Sequence, residues 1–336
     1  MDIKNISTVE QVLIIAEIGN NHEGSADVAA QMVREVAAAG ADAVKFQTFR
    51  TELFANPNDQ SRYRRMQRFE LSHKEFSELR DLAHSLDLLF ISTPLDLESA
   101  RFLRDMVDAF KIASGDNNFY PLLAEVACTG KPVIISSGAS DIEQVRKSKD
   151  TIERRWRQLD IDGQLAILHC VSNYPTAVED ANLSAIRSLS EQLQCEVGYS
   201  DHTLGVDACV LSVALGARII EKHFTLDKNY SEFRDHQMSA DPEEMKQLVG
   251  RVRAAFTMLG NPKKQVLPSE KEMVPLIRRS IVAARELPVG HCITADDLMW
   301  LRPAGGLAPG EEMQLVGKTV RKKIDCAEPI QPSKVA

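Results

Sequence analysis

The chain has 336 residues with 48 acidic and 40 basic side chains, so 40 − 48 gives a formal charge of −8. Charged residues at 26% and hydrophobic ones at 44% are ordinary globular values, which excludes a disordered, collagen-like or coiled-coil chain. An acidic balance with no long Lys/Arg run argues against a nucleic-acid surface, because phosphate neutralisation needs clustered cations.

The opening Met1-Asp2-Ile3-Lys4-Asn5-Ile6-Ser7 lacks the basic end and apolar core of a signal peptide. No apolar run of about 18 residues exists, so nothing is expected to span a membrane. The cysteines Cys128, Cys170, Cys195, Cys209, Cys292 and Cys326 are scattered, with no CxxC pair. They read as reduced thiols of a cytoplasmic protein.

Short apolar runs rich in Val, Ile and Phe recur at Val12–Gly19, Ala43–Phe49, Leu88–Pro94, Ala109–Gly115, Pro132–Gly138, Leu165–Val171, Glu196–Asp201 and Ile219–Thr225. They are nearly continuous in apolar character, as expected of parallel strands buried on both faces. Between them lie helical stretches with start and stop signals. Ser72-His73-Lys74-Glu75 and Ser140-Asp141-Ile142-Glu143 fit the capping box. Asp241-Pro242 places an N-cap before a first-turn proline, while Gly40, Gly130 and Gly260 sit where helices should stop. Eight β-then-α units over about 260 residues predict an α/β (β/α)8 TIM barrel. A doubly wound open sheet is the alternative, but no GxGxxG turn supports it.

After Gly260 the texture changes. Residues 1–262 are expected to form the barrel and 263–276 a polar, proline-punctuated linker. Residues 277–336 read as a small, turn-rich, mostly β domain, broken at Pro288-Val289-Gly290, Pro303-Ala304-Gly305-Gly306 and Pro309-Gly310. So short a segment buries little core alone and should lean on the barrel or on a partner subunit.

A barrel of this kind builds its site at the C-terminal ends of the strands, and every run ends in polar or ionisable residues. Lys45 and Lys111 lie inside apolar strands, where an ammonium is costly unless it meets an anion. Thr93, Ser114, Ser136, Ser172 and Ser200 supply hydroxyls around them. The pair suits a phosphate with a carboxylate; a salt bridge to Glu17 or Glu221 is the plainer reading. His202 and His223 close the last two strands and suit a divalent cation, although a lone buried histidine more often bonds to backbone. His22 and His169 are weaker candidates, and His22 fits a role in ordering its own loop. Glu23 is either an acid/base or a helix cap.

These strings, Ala16-Glu17-Ile18-Gly19-Asn20-Asn21-His22-Glu23-Gly24, Val44-Lys45-Phe46-Gln47-Thr48, Ile91-Ser92-Thr93-Pro94, Lys111-Ile112-Ala113-Ser114-Gly115, Gly198-Tyr199-Ser200-Asp201-His202-Thr203 and Glu221-Lys222-His223-Phe224-Thr225, together resemble the sialic acid synthase family. That family condenses phosphoenolpyruvate with an N-acylated aminosugar. The tail from Arg279-Ser280-Ile281-Val282-Ala283 to Trp300-Leu301-Arg302-Pro303 resembles its type III antifreeze-like (SAF, β-clip) domain. The resemblance covers essentially the whole chain. It implies phosphoenolpyruvate binding by Lys45, Thr93, Lys111, Ser114, Ser136, Ser172 and Ser200, and a manganese or magnesium ion on His202 and His223. It also implies acceptor contacts from Gln47, Asp116, Tyr174 and Asp235, with Glu23, Lys45, Lys111 and His202 as catalytic groups. Arg302 is implied to reach the sugar's acyl group from the partner subunit of a domain-swapped homodimer.

Four features depart from the family pattern. Asp116 stands where Glu is frequent, Ser172 replaces an Asn, no Pro-Gly precedes Asp235, and Arg278-Arg279 is unusually basic. They bear on which sugar is used more than on the reaction. N-acetylmannosamine, its 6-phosphate and diacetamido-trideoxyhexoses all stay open. Among other enzymes, an aldol synthase acting on a phosphorylated aldose is disfavoured by the antifreeze-like tail and by the lack of a visible second basic cluster for a sugar phosphate. A non-catalytic sugar-binding relative should have lost a rim lysine or histidine, and none is missing. Ice binding needs a weakly charged face, whereas Arg278, Arg279, Arg302, Arg321, Lys322 and Lys323 make the tail cationic.

Overall fold

The computed structural model describes residues 1–336, which divide into two compact units, Met1–Gly260 and Asn261–Ala336. The first opens with a hairpin of β1 (Asp2–Ile3) and β2 (Ile6–Ser7). Eight parallel strands then close a barrel: β3 (Leu13–Gly19), β4 (Ala43–Thr48), β5 (Leu89–Pro94), β6 (Ala109–Ile112), β7 (Val133–Ser136), β8 (Leu165–Cys170), β9 (Glu196–Asp201) and β10 (Ile219–His223). Each pairs with the next in sequence and β10 pairs back onto β3, so the expected barrel is the observed one. No helix of the chain is long and apolar enough to cross a membrane.

Two hydrophobic layers hold the barrel. Outward residues such as Ile14, Ala16, Val44, Phe46, Phe90 and Phe110 pack under the helices. Inward residues Leu13, Ile15, Ala43, Leu89, Ile91, Ala109, Ile134, Ala166, Leu168 and Ile219 fill the interior, and Ile3 and Ile6 of the hairpin close its N-terminal end. Gly198 is forced by this closure: a Cβ there would stand 2.3 Å from the Ile219 carbonyl oxygen. Strand alternation explains the two layers, since successive side chains point to opposite faces.

The helix α1 (Ala26–Ala39) starts at Ser25 and stops at Gly40, whose φ of 82° is left-handed. Between β4 and β5 the chain inserts α2 (Thr51–Phe54) and α3 (Gln60–Phe69) before α4 (His73–Ser85). The capping box of Ser72 and Glu75 forms as expected. The one expected at Ser140 does not: Asp141 caps Ile142–Leu159 by accepting from the Gln144 amide, and Ser140 pairs with Asn117 instead. A carboxylate one residue later makes the stronger charge-assisted cap.

The second unit pairs β11 (Ser280–Ala283) with β12 (Leu298–Leu301) in antiparallel register. Its core is Ile281, Ala283, Leu287, Ile293, Leu298, Leu315, Val320, Ile324 and Ile330. Buried Asp297 ties it together, accepting from Arg285, Thr294 and His291. The stretch expected as a linker carries one short turn, Pro268–Glu270, and then a five-residue helix, Met273–Ile277, that runs one residue past its expected end.

Candidate active site

On the barrel strands the inward series begins apolar and ends polar. Beyond the interior layer the same faces carry Glu17, Lys45, Gln47, Thr93, Lys111, Ser136, Cys170, Ser200 and Glu221, followed by His202 and His223. All line one cavity of about 1000 Å³. The intervening outward residues serve structure: Lys222 bonds Asp201 at 2.8 Å under the helices, and His169 bonds the Ala181 carbonyl at 2.9 Å.

Both lysines are buried, and both meet carboxylates, as the plainer reading expects. Lys45 lies 2.8 Å from Glu17 and 3.6 Å from Glu221; Lys111 lies 3.5 Å from Glu221. The same ammonium groups donate to hydroxyls, Lys45 to Thr93 at 3.3 Å and Lys111 to Ser136 at 2.6 Å. Burial opposes the Lys45 charge, but two carboxylates more than offset it and hold Lys45 above its ordinary pKa. At Lys111 burial wins over its one carboxylate, and the pKa falls. Two cations and two carboxylates leave this floor close to neutral.

Hydroxyls gather beside it. Ser200 donates to Glu221 at 2.9 Å, its partner in strand register. The Ser114 hydroxyl accepts from the Gly138 amide at 3.1 Å. Ser172 is exposed and lines the neighbouring cavity, yet a Cβ at Gly138 would stand 2.3 Å from its Oγ and 2.6 Å from that of Ser114. Gly138 thus keeps a gap between two hydroxyls. The Ser136-Ser137-Gly138 strand end carried that signal in the sequence, although the glycine was not singled out.

His202 and His223 stand with ring centroids 5.5 Å apart. His202 donates from Nδ1 to the Val171 carbonyl at 2.7 Å, which leaves Nε2 as a lone-pair donor. Burial of His223 lowers its pKa to about 3, so it is neutral, and its buried Nδ1 has no protein partner. At His202 burial opposes the imidazolium, but the Cys170 thiol and the Val171 carbonyl outweigh it and raise the pKa. The donor chemistry fits a divalent cation on two imidazoles. No third His, Cys, Asp or Glu completes a metal-binding group, so water or substrate would supply the other positions.

Around this floor, Gln47 accepts from Asn20 at 2.9 Å and donates to Glu17 at 3.1 Å. The Tyr174 ring lies 4.1 Å from that of His202, and burial pushes its hydroxyl pKa up, so it stays a donor. Asp235 lines the same cavity, with its Oδ1 buried and lacking a hydrogen bond. Glu23 accepts from Ser231, faces His236 at 3.4 Å and Arg68 at 3.8 Å, and so closes the rim rather than capping a helix. His22 accepts from the Gly24 amide at 3.0 Å and orders its loop. Two acceptor candidates stand elsewhere: Asp116 ends the turn Ser114–Asp116 without lining the cavity, and Arg302 is exposed in the second unit just after β12.

The structure corrects the expectation that no second basic cluster exists. Arg62, Arg65 and Arg68 of α3 and Arg234 all line the cavity. Arginines on an exposed helix read in sequence as a solvated face. What brings them to the rim is tertiary: the Phe69 ring packs edge-on to Phe233 at 5.3 Å. Gly24 at φ 87° makes this possible, because a Cβ there would lie 1.9 Å from the Arg68 carbonyl oxygen. The segment that lacks Pro-Gly before Asp235 is the one that supplies Phe233 and Arg234.

Comparison with known proteins gives concordant matches. The NeuB family model matches residues 32–264, and the SAF domain model matches residues 278–336. An uncharacterized protein of Methanocaldococcus jannaschii is 47% identical, over 89% of this chain and 87% of that protein. The N,N'-diacetyllegionaminic acid synthase of Legionella pneumophila is 41% identical, over 90% of this chain and 89% of that enzyme. Among solved structures, the N-acetylneuraminic acid synthetase of Leptospira borgpetersenii is 34% identical with a TM-score of 0.75, covering 82% of this chain and 94% of that one.

Proposed function

The chain belongs to the NeuB family, and on that premise we propose that it condenses phosphoenolpyruvate with an N-acylated aminosugar, giving a nonulosonic acid and inorganic phosphate. It is an enzyme, a synthase of the transferase type. The observation that carries the reading is the meeting of Lys45 and Lys111 with His202 and His223 in one cavity at the C-terminal mouth of the barrel.

Phosphoenolpyruvate carries a phosphate and a carboxylate. Lys45 and Lys111 bind it by exchanging part of their hold on Glu17 and Glu221 for the substrate's oxygens, with Thr93, Ser114, Ser136, Ser172 and Ser200 donating hydroxyls. Gly138 leaves the room between Ser114 and Ser172 that an anion's oxygen needs. The acceptor lies open-chain against Tyr174, Gln47 and Asp235, and C3 of the donor adds to its aldehyde carbon. Water then adds to C2 and gives one proton, through Glu23, to the former aldehyde oxygen. The tetrahedral centre expels phosphate by breaking the C2–O bond, and its hydroxyl proton leaves with the phosphate as the C2 carbonyl forms. Holding both substrates in line, and meeting charge with fixed cations and hydroxyls, supplies most of the acceleration.

His202 and His223 would hold a manganese or magnesium ion, which when bound acts as a Lewis acid on the acceptor carbonyl. A second copy of the chain brings its Arg302 to the acyl group, in a domain-swapped homodimer; six unpaired cysteines support a cytoplasmic setting. Phosphate release from phosphoenolpyruvate with a panel of N-acylated aminosugars, with and without added metal, tests the proposal. Release that requires both an aminosugar and the metal supports it, and an inert protein across the panel refutes it.

A further inference from the structure

The floor of the cavity is close to neutral, but its rim is not. The helix α3 carries Arg62, Arg64, Arg65 and Arg68 and no acidic residue. Arg62, Arg65 and Arg68 recur every third residue, which stacks them along one face of the helix, and all three line the cavity while Met66 and Phe69 are buried. Arg234, next to the Phe233 that packs on Phe69, lines the same cavity.

Three of these guanidinium groups rest on aromatic rings: Arg62 over Phe54 at 5.4 Å, Arg68 over Phe69 at 5.1 Å and Arg234 over Tyr174 at 4.8 Å. Stacking of this kind fixes the plane of the fork without consuming its N–H donors. The carboxylates on the same rim are Glu23, Glu232 and Asp235. Arg68 faces Glu23 at 3.8 Å and Arg234 faces Asp235 at 3.4 Å, whereas Arg62 and Arg65 take part in no salt bridge. Glu23 is further engaged by Ser231 and His236. Two arginines with free donors therefore face the volume that lies above the reacting groups.

We infer that the acceptor carries an anionic group, a phosphate monoester or a carboxylate, at the end remote from its aldehyde, and that Arg62 and Arg65 bind it with Arg234. This rests on the condensation proposed above, because that reaction sets the aldehyde at the cavity floor and directs the far end of the sugar outward. Arginine is the side chain suited to it: its planar fork meets phosphate and carboxylate oxygens in pairs.

The test compares three acceptors at saturating phosphoenolpyruvate: N-acetylmannosamine, its 6-phosphate, and the corresponding 6-carboxylate. The native enzyme is expected to use one of the two anionic sugars with a kcat/KM at least tenfold above the neutral one, and whichever it is identifies the anion. In Arg62→Ala/Arg65→Ala the KM for that sugar should rise at least tenfold, the KM for phosphoenolpyruvate should stay within twofold, and the preference should vanish. Arg65→Glu should reverse it. Turnover of the neutral sugar in preference to both anionic ones overturns the inference and leaves the condensation standing. Preference for an anionic sugar that survives in both variants overturns the role of Arg62 and Arg65. No phosphate release with any of the three, together with no binding of phosphoenolpyruvate, overturns the condensation and this inference with it.

Discussion

The Lys45 ammonium lies 2.8 Å from the Glu17 carboxylate, on facing positions of adjacent barrel strands. Removing one partner of a buried ion pair is costly in a low-dielectric interior, even though Lys45 keeps Glu221 at 3.6 Å. Glu17 also competes with any anion for the same lysine. Glu17→Gln should therefore destabilise the fold by about 3 kcal/mol while lowering the KM for phosphoenolpyruvate. Denaturant unfolding and steady-state kinetics on the same variant check both halves; a raised KM would show that Glu17 supports the donor instead of competing with it.

Lys111 donates to Ser136 at 2.6 Å and faces Glu221 at 3.5 Å. Lys111→Met keeps most of the volume and removes the charge. The loss in kcat/KM for phosphoenolpyruvate should be at least about 100-fold, the equivalent of roughly 2.7 kcal/mol. A brace for Glu221 alone would instead lower the melting temperature and leave the donor kinetics nearly unchanged.

The imidazole pair makes a prediction that needs no turnover. Titration of native protein with manganese, followed by electron paramagnetic resonance of the free ion, should show one site per chain. His223→Ala should abolish it, since a single imidazole remains. Chelation of the native protein should remove activity, and added manganese or magnesium should restore it.

His22 sets a pH dependence of stability. Burial lowers its pKa from 6.5 to about 4. The unfolded chain therefore takes up a proton below 6.5 that the folded chain refuses until about 4, so stability is present at neutral pH and is lost as pH falls through this window. Between pH 7.5 and 5 the native protein should lose about 2 kcal/mol more than His22→Gln does. Urea unfolding of the pair at the two pH values measures it, and parallel losses would remove the assignment.

Gly24 links the loop after β3 to the arginine helix. Gly24→Ala places a Cβ 1.9 Å from the Arg68 carbonyl oxygen at a φ of 87°. The strain should cost at least about 1–3 kcal/mol, and displacement of α3 should raise the KM for the acceptor more than that for the donor. Equal changes in both would mean that α3 does not shape the acceptor end.

Much of this was legible in one dimension because parallel strands announce themselves. Apart from Glu196, which opens its run, the polar residues of the eight apolar runs lie towards the C-terminal ends, where alternation sends Lys45, Lys111, Ser200, His202, Glu221 and His223 inward. The β1–β2 hairpin was not legible, since two-residue strands have no measurable period. Nor was the arginine rim, whose position depends on Phe69 meeting Phe233 from 164 residues away, counted as 233 − 69. Asp116 lies off the cavity wall at the end of the short turn after β6, although Ser114, two residues earlier in that turn, lines it.

The most direct test of the condensation follows the oxygen. With phosphoenolpyruvate, a turned-over aminosugar and metal in heavy-oxygen water, the account predicts that the released phosphate carries no label, because the C2–O bond breaks and the bridging oxygen leaves with phosphorus. Labelled phosphate would mean that water attacks phosphorus, and would contradict the route drawn through Lys45, Lys111 and Glu23.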